Sequence, residues 1–299
     1  MTRKFNPSPA LRDLATIMRP EDAEQPILAK PVRDALHQWM TEIRAEKELR
    51  AVGVPARRSA ILSGPPGCGK TTLAHHLAAR LGLALVSVNL DAVRGMYIGE
   101  TGKNLSAAFT ALEGQSDLCI LFLDELDAVA SKRSSDDSSG SREMNSVVNG
   151  LLQRMESFRG MLIGATNRAA VIDPAVWRRF GLHLDIALPG EDERFAIITR
   201  YLSPFTLPEE AIGMLADATE GAAPSLLRQL MEGVKRDLIL SPRLSRETGA
   251  AAVFERLIAM VRPHPDYTPP PLWTDFNTKA RIAEAMTWPP TPPDAPETA

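Results

Sequence analysis

The chain has 299 residues, of which 44% are hydrophobic and 24% charged, and its formal net charge is −3. These values are typical of a globular protein and leave room for two domains. A weakly acidic chain lacks the basic surface expected of a protein whose main task is to hold a nucleic-acid backbone. Two cysteines, Cys68 and Cys119, are too few for a disulfide framework, and no apolar run reaches the ~18 residues that span a membrane. We therefore expect a cytoplasmic location and no membrane partner.

In chain order, the sequence predicts an N-terminal arm, a large α/β domain, a helical domain and a proline-rich tail. Residues 1–26 are polar and interrupted by proline, and the large domain over 27–190 opens with an amphipathic helix over 31–49. Five short apolar runs then alternate with helical patterns: 60–64, 84–90, 119–125, 161–167 and 183–189. Such runs indicate a parallel sheet covered on both faces. Residues 191–262 show only helical spacing, and residues 263–299 are rich in proline, with an end that we expect to be disordered.

Residues 64–71 read GPPGCGKT and fit the phosphate-loop pattern G-x-x-x-x-G-K-[ST]. The loop follows an apolar run and opens a helical pattern. Glycines let backbone N–H groups curl round phosphate oxygens, and a helix start adds positive potential. Lys70 is predicted to reach the β- and γ-phosphates of ATP, and the Thr71 hydroxyl to bind Mg²⁺. The predicted nucleotide-binding residues are Pro66, Gly67, Cys68, Gly69, Lys70, Thr71 and Thr72.

Two adjacent carboxylates, Asp124 and Glu125, end the apolar run over 119–125. Buried carboxylates are costly unless they meet a cation or a hydrogen-bond donor. Asp124 is predicted to hold Mg²⁺, usually through water, and Glu125 to activate the attacking water as a general base. The alternative is a strand that ends in an ordinary polar turn.

Asn167 and the pair Arg178 and Arg179 are the remaining candidates for catalysis. Asn167 closes an apolar run, where its amide can orient the attacking water, although asparagine also forms turns at strand ends. Paired arginines often form a solvated helix end, but in a phosphoryl-transfer protein they can neutralise transition-state charge. Because the pair falls well past the sheet, action on a neighbouring subunit is the better interpretation.

These motifs together resemble an AAA+ ATPase of the AAA clade proper over roughly residues 28–240. The resemblance rests on GPPGCGKTTLAHHLA, FLDELDAVASKR and GATNRAAVIDPAVWRRF, in this order. It implies a five-stranded parallel sheet of order 5-1-4-3-2, a helical lid and a homo-hexameric ring with nucleotide at the subunit interfaces. It also implies that Asn167 is the sensor 1 residue and that Arg178 and Arg179 are arginine fingers.

The resemblance also assigns a pore loop to Tyr97, Ile98 and Gly99. This triplet is similar to the aromatic–hydrophobic–glycine triplet of the clade, where an aromatic side chain can grip an extended polypeptide. The alternative is that Tyr97 packs on its own domain. Residues 134–142 form either a second channel loop or a plain surface loop. At residues 221–227 the family pattern G-x-x-G-A-D-L is replaced by GAAPSLL, with Pro224 and Ser225 at the small pair, so the contact between the lid and the γ-phosphate stays open.

The resemblance predicts a Mg²⁺-dependent ATPase that acts on a client protein. The intact Tyr97 triplet favours protein remodelling over a DNA-handling loader, and the net charge of −3 also weighs against nucleic acid as the partner. A nucleotide-gated scaffold with little turnover would not need Glu125 or the two arginines. Similarity to small bacterial ATPases of defence operons favours a HORMA-domain protein as the client. The alternative is an unfoldase that works with a protease.

Overall fold

The structure is a computed structural model that describes residues 5–90, 100–133 and 139–292. Within these ranges the chain forms two compact units. The α/β unit contains residues 5–26 and 30–186, and the helical unit contains residues 27–29 and 187–292. No helix within these ranges is long and apolar enough to cross a membrane.

A six-stranded sheet forms the centre of the α/β unit. The strands are β1 (Thr16–Met18), β2 (Ser59–Ser63), β3 (Ala84–Asn89), β4 (Cys119–Asp124), β5 (Met161–Thr166) and β6 (Leu182–Asp185). Their order across the sheet is β1-β3-β4-β5-β2-β6. All neighbouring strands are parallel except β1, which pairs antiparallel with β3. Strands β2, β4 and β5 are buried along nearly their whole length, as in a sheet that is covered on both faces.

The five strands predicted from the sequence lie in the expected order 5-1-4-3-2, read from β6 to β3, but a purely parallel five-stranded sheet was wrong, because a sixth strand is present and makes the sheet mixed. The additional strand is β1, which lies at the edge. Three residues are too few to show a strand pattern in the sequence, and this strand exists because it pairs with β3 far along the chain. Residues 5–22 therefore pack on the α/β unit: Leu11 is fully buried in its core, and His75 Nε2 lies 2.7 Å from the carbonyl oxygen of Arg19.

The helices of the α/β unit lie around the sheet, and loops at the sheet edges join them to the strands. They are α1 (Pro9–Leu14), α2 (Lys30–Arg44), α3 (Glu46–Ala51), α4 (Lys70–Leu81), α5 (Glu100–Ala111), α6 (Ser139–Ser157) and α7 (Pro174–Trp177). The single helix expected over 31–49 is two helices, which are separated at Ala45. Trp39 of α2 is buried, and its Nε1 donates to the carbonyl oxygen of Arg57 at 2.9 Å. This bond attaches α2 to the chain that leads into β2.

The helical unit has its own apolar core. Its helices are α8 (Glu191–Leu202), α9 (Glu209–Ala218), α10 (Pro224–Leu240), α11 (Ala250–Met260), α12 (Pro271–Thr274) and α13 (Phe276–Ala285). The proline-rich segment contributes to this core, because Leu272, Ile282 and Met286 are buried in it. Trp273 Nε1 donates to the carbonyl oxygen of Val261 at 2.7 Å, which ties the segment to the end of α11. The expected disordered end, residues 293–299, lies outside the described residues.

Candidate nucleotide-binding site

Three glycines shape the loop between β2 and α4. Gly64, Gly67 and Gly69 have φ values of +148°, +78° and +84°, which side chains of L-residues rarely allow. At Gly64 an added Cβ would lie 2.2 Å from the carbonyl oxygen of Ile186, so a side chain would also push two backbone segments apart. The loop therefore depends on glycine for its path, as the phosphate-loop pattern predicts.

Lys70 is the first residue of α4 and is only 7% exposed. Its Nζ donates to the carbonyl oxygens of Gly64 at 2.7 Å and Pro65 at 2.9 Å, and to Asn167 Oδ1 at 2.7 Å. Burial lowers the pKa of Lys70. An ammonium that is partly desolvated and held by uncharged oxygens is well suited to bind an anionic oxygen such as that of a phosphate.

Thr71 and Asp124 meet at the carboxyl edge of the sheet. Thr71 Oγ1 donates to Asp124 Oδ2 at 2.9 Å, and Asp124 Oδ1 accepts from the backbone N–H of Glu125 at 3.0 Å. Thr71 lies in the first turn of α4, whereas Asp124 is the last residue of β4. Hydroxyl and carboxylate oxygens are the ligands that Mg²⁺ prefers, and Mg²⁺ commonly uses only one or two carboxylates beside water and phosphate. The residues present therefore fit this ion.

Glu125 has a left-handed backbone conformation, with φ +54° and ψ +45°. This region is uncommon for residues other than glycine, and strained residues of this kind cluster at functional sites. The conformation ends β4 abruptly and starts the turn over 126–128. Glu125 thus stands at the end of the strand whose last residue is Asp124.

Sequence reasoning missed a polar pair next to Asn167. Thr166 is 1% exposed; its Oγ1 donates to Asp127 Oδ1 at 2.8 Å and accepts from the backbone N–H of Arg168 at 3.0 Å. These bonds hold the chain on both sides of Asn167, whose Oδ1 accepts from Lys70. The signal was present in the sequence as a third carboxylate in DELD, two residues after Glu125.

Cys68 is buried in the phosphate loop, and burial raises the pKa of its thiol. A thiol in such a position stays protonated and is a weak nucleophile. Cys68 is therefore a small buried residue of the loop rather than a nucleophile.

Arg178 and Arg179 are exposed and directly follow the short helix α7. Arg178 Nε donates to the carbonyl oxygen of Pro174 at 3.0 Å, and Arg179 forms an ion pair with Glu156 of α6. Neither bond involves a residue of the phosphate loop.

The carbonyl oxygen of Arg179 fixes the arginine pair at the end of the sheet opposite the phosphate loop. It accepts from Ser59 Oγ at 3.1 Å, and Ser59 is the first residue of β2. The phosphate loop begins at Gly64, after the last residue of the same strand. Five residues at about 3.3 Å each give a separation of about 16 Å, which an arginine side chain does not span. The site within this chain therefore contains Lys70, Thr71, the carboxylates and Asn167, but not the arginine pair.

The pore triplet Tyr97, Ile98 and Gly99 lies outside the described residues, and so do residues 134–138 of the possible second channel loop. In the segment over 221–227, Pro224 is the first residue of α10, a position where proline fits a helix without the loss of a hydrogen bond.

Comparison with known proteins gives one family match. Residues 60–188 match the family model "ATPase family associated with various cellular activities (AAA)". The match begins in β2 and ends just after β6, so it contains the phosphate loop, both carboxylates, Asn167 and the arginine pair.

The chain also matches curated relatives over part of its length. The chain is 41% identical to an uncharacterized AAA family ATPase from Sinorhizobium fredii over 163 residues, which are 54% of this chain and 47% of the relative. It is 31% identical to the proteasome-activating nucleotidase of Methanothermobacter thermautotrophicus over 210 residues, 68% of this chain and 51% of the relative. It is 32% identical to 26S proteasome regulatory subunit 6A of Saccharomyces cerevisiae over 189 residues, 61% and 43% of the two chains. The chain thus spans about half the length of the curated relatives it matches.

Proposed function

We propose that this chain, whose residues 60–188 match the AAA family model, binds Mg²⁺–ATP and hydrolyses it to ADP and phosphate. The observation that carries the proposal is the meeting of groups from three strand ends. Lys70 follows β2, Asp124 ends β4 and Asn167 follows β5, and hydrogen bonds of 2.7–2.9 Å link Lys70 to Asn167 and Thr71 to Asp124. A chance glycine-rich turn would not bring these groups together.

Each of these residues has a role that its chemistry supports. The loop N–H groups and Lys70 bind the β- and γ-phosphates, and Thr71 and Asp124 hold Mg²⁺, directly or through water. When bound, Mg²⁺ neutralises charge on the phosphate oxygens. Glu125 takes a proton from the attacking water, and Asn167 orients that water while it also contacts Lys70. Hydrolysis also requires a positive charge on the side of the γ-phosphate that faces away from these residues.

In the proposal, the arginine pair of a neighbouring subunit supplies this charge within a homo-hexameric ring. Support comes from the separation of about 16 Å between the arginine pair and the phosphate loop of the same chain. Exposed guanidinium groups that cannot reach the nucleotide bound by their own chain can still contact the nucleotide bound by a neighbouring subunit. An arginine of this kind stabilises the transition state and accelerates phosphoryl transfer by roughly 10³–10⁵-fold.

Mixed rings test the arginine step. We expect rings of Arg178→Ala subunits to hydrolyse ATP at least about 100-fold more slowly than parental rings, since transition-state charge goes unneutralised. Mixing these subunits with Glu125→Gln subunits should restore hydrolysis, because the Glu125→Gln subunit still offers Arg178 to its neighbour's intact site. The measurement is phosphate release against mixing ratio.

The control is a mixture in which the second subunit carries both Glu125→Gln and Arg178→Ala. That mixture should stay inactive. Absence of recovery in the first mixture, or full activity of pure Arg178→Ala rings, would contradict action between subunits.

The work done with ATP is proposed to be remodelling of a client polypeptide through a central pore. Support comes from the triplet Tyr97, Ile98 and Gly99 in the sequence and from the relatives, two of which carry names that refer to the proteasome. Both cysteines are buried free thiols, which suits a cytoplasmic location. Two classes of client fit this proposal. Resemblance to HORMA-remodelling ATPases of defence operons favours a HORMA-domain protein, whereas the names of the proteasome-related relatives favour an unfoldase that delivers substrates to a protease.

A Tyr97→Ala variant tests the pore. It should hydrolyse ATP within about 3-fold of the parental rate, since the phosphate loop, both carboxylates and Asn167 are unchanged, but should lose most client remodelling because the aromatic side chain that contacts the polypeptide is gone. Tyr97→Phe is the matched control, which keeps the aromatic side chain and should retain remodelling. The readout is ATP-dependent unfolding of a captured client. Full remodelling by Tyr97→Ala would contradict the pore hypothesis.

A further inference from the structure

We propose that the ion pair between Arg133 and Asp173 is a positioning device that holds Arg178 and Arg179 in place for the nucleotide of the neighbouring subunit. This inference rests on the proposed function, because it concerns how the arginine pair is presented. Neither Arg133 nor Asp173 contacts the phosphate loop, so both would act through the arginines.

Among the residues whose burial the structure describes, Asp173 is the one buried carboxylate, with 2% exposure. Its Oδ2 accepts from Arg133 Nε at 3.0 Å, and its Oδ1 accepts from the backbone N–H of Ala175 at 2.8 Å. Burial acts to raise the pKa of Asp173, but these two donors outweigh it and lower the pKa. The carboxylate is therefore ionised at neutral pH and depends on Arg133 for charge compensation.

The helix that Asp173 caps, α7, cannot hold the arginines by itself. It has four residues, and an isolated helix of this length is unstable. The direction of α7 must therefore be fixed by contacts at its two ends, which act as its anchors. At its start the anchor is Asp173. After its end, Phe180 packs so closely on Gly164 of β5 that an added Cβ there would lie 2.8 Å from the Phe180 ring. Arg178 and Arg179 lie between these anchors and are exposed.

A third anchor lies on the side of β6. The ring of Trp177 stacks on that of His183 with centroids 4.6 Å apart, and His183 Nε2 lies 3.0 Å from the carbonyl oxygen of Trp177. Phe180 and the stacked rings of Trp177 and His183 hold the end of the turn, whereas the Asp173 ion pair holds its start.

Arg133 lies eight residues after Glu125, in a segment that starts at the catalytic carboxylates. The segment over 126–133 follows Glu125 directly and is bonded to the chain before α7 in two places: Lys132 N–H donates to the carbonyl oxygen of Val171, and Asp173 N–H to that of Ala130, both at 2.8 Å. The ion pair closes this arrangement. The same segment therefore starts at the hydrolytic site of one subunit and, through Arg133, positions the arginines that act on the nucleotide of the neighbouring subunit.

Two conservative substitutions isolate the ion pair. Arg133→Gln removes the charge, and Asp173→Asn keeps a side chain that can still cap α7. Each should lower kcat roughly 10- to 100-fold, as a misplaced catalytic group does, while KM for ATP stays within about 2-fold because the phosphate loop is intact. The double variant should be no slower than the slower single variant, since both changes break one interaction. Arg50→Gln, which breaks the exposed pair with Glu46, is the control and should leave kcat unchanged.

Mixed rings separate positioning from damage to the fold. Arg133→Gln subunits mixed with Glu125→Gln subunits should recover hydrolysis, because their own sites are intact and the neighbour presents its arginines correctly. Parental kcat in Arg133→Gln, additive effects in the double variant, or no recovery on mixing would overturn the inference. If Arg178→Ala loses activity and is rescued while Arg133→Gln has parental kcat, this inference alone fails. If Arg178→Ala keeps full activity, the proposed function of the arginine pair fails first.

Discussion

A Glu125→Gln variant should bind Mg²⁺–ATP as tightly as the parental chain and lose nearly all hydrolysis. Glutamine has the shape of glutamate but cannot accept a proton from water, and loss of a general base costs roughly 10²–10⁴-fold in rate. Binding should persist because the backbone N–H of residue 125, which bonds to Asp124 Oδ1 at 3.0 Å, is unchanged. Phosphate release gives the rate, and calorimetric titration with ATP gives the affinity.

The matched control is Glu113→Gln, which neutralises an exposed carboxylate after α5 and should hydrolyse ATP at the parental rate. If Glu125→Gln keeps the parental rate, Glu125 is not the base. If it loses ATP binding, its role lies in the structure of the site rather than in proton transfer.

The same variant can identify the client, since a ring that binds ATP without turnover should keep a bound polypeptide. Affinity capture with Glu125→Gln in the presence of Mg²⁺–ATP, followed by mass spectrometry, should recover it. Capture with Glu113→Gln is the control for nonspecific binding. A HORMA-domain protein in the specific fraction would support the first client class, and a protease subunit the second.

The parts of the site that could be predicted from the sequence are those whose structure depends on residues close together along the chain. The phosphate loop needs glycines at fixed positions, and Gly64, Gly67 and Gly69 have the positive φ values that explain them. The ends of the buried strands could be predicted to within a few residues, because an apolar run that stops at Asp124 or Thr166 marks a strand end in the letters themselves. In these cases the residues that fix the structure are neighbours along the chain.

The parts that could not be predicted depend on pairs far apart in the sequence. β1 is a strand only because Thr16 lies opposite Ser87. The Arg133–Asp173 pair joins residues that meet because the segments after β4 and β5 run side by side. The segment over 263–292 was predicted to be part of a proline-rich tail outside the helical domain, yet three of its apolar residues are buried in the core of the helical unit. Composition shows that a segment is rich in proline, but tertiary packing decides whether that segment joins the core of a domain.

A Lys70→Met variant should lose ATP binding while it keeps its fold. Methionine fills similar space but has no charge. A charge-assisted hydrogen bond contributes about 1.5–3 kcal/mol, and loss of the ammonium from both the β- and γ-phosphates should weaken binding roughly 100-fold or more. The free protein should tolerate the change, because burial of the Lys70 ammonium is itself unfavourable, as its lowered pKa indicates. Substitution removes that cost together with three hydrogen bonds.

Thermal unfolding separates these two effects. Saturating Mg²⁺–ATP should raise the Tm of the parental chain, because a ligand that binds only the folded state stabilises it, and should leave the Tm of Lys70→Met unchanged. Without nucleotide the two melting temperatures should be close. Lys30→Met, which removes an exposed ammonium paired with Asp34, is the control and should show the full shift with ATP. A full shift in Lys70→Met would mean that the nucleotide is held elsewhere, whereas a low Tm without nucleotide would mean that Lys70 holds the loop together, since its Nζ already bridges Gly64, Pro65 and Asn167.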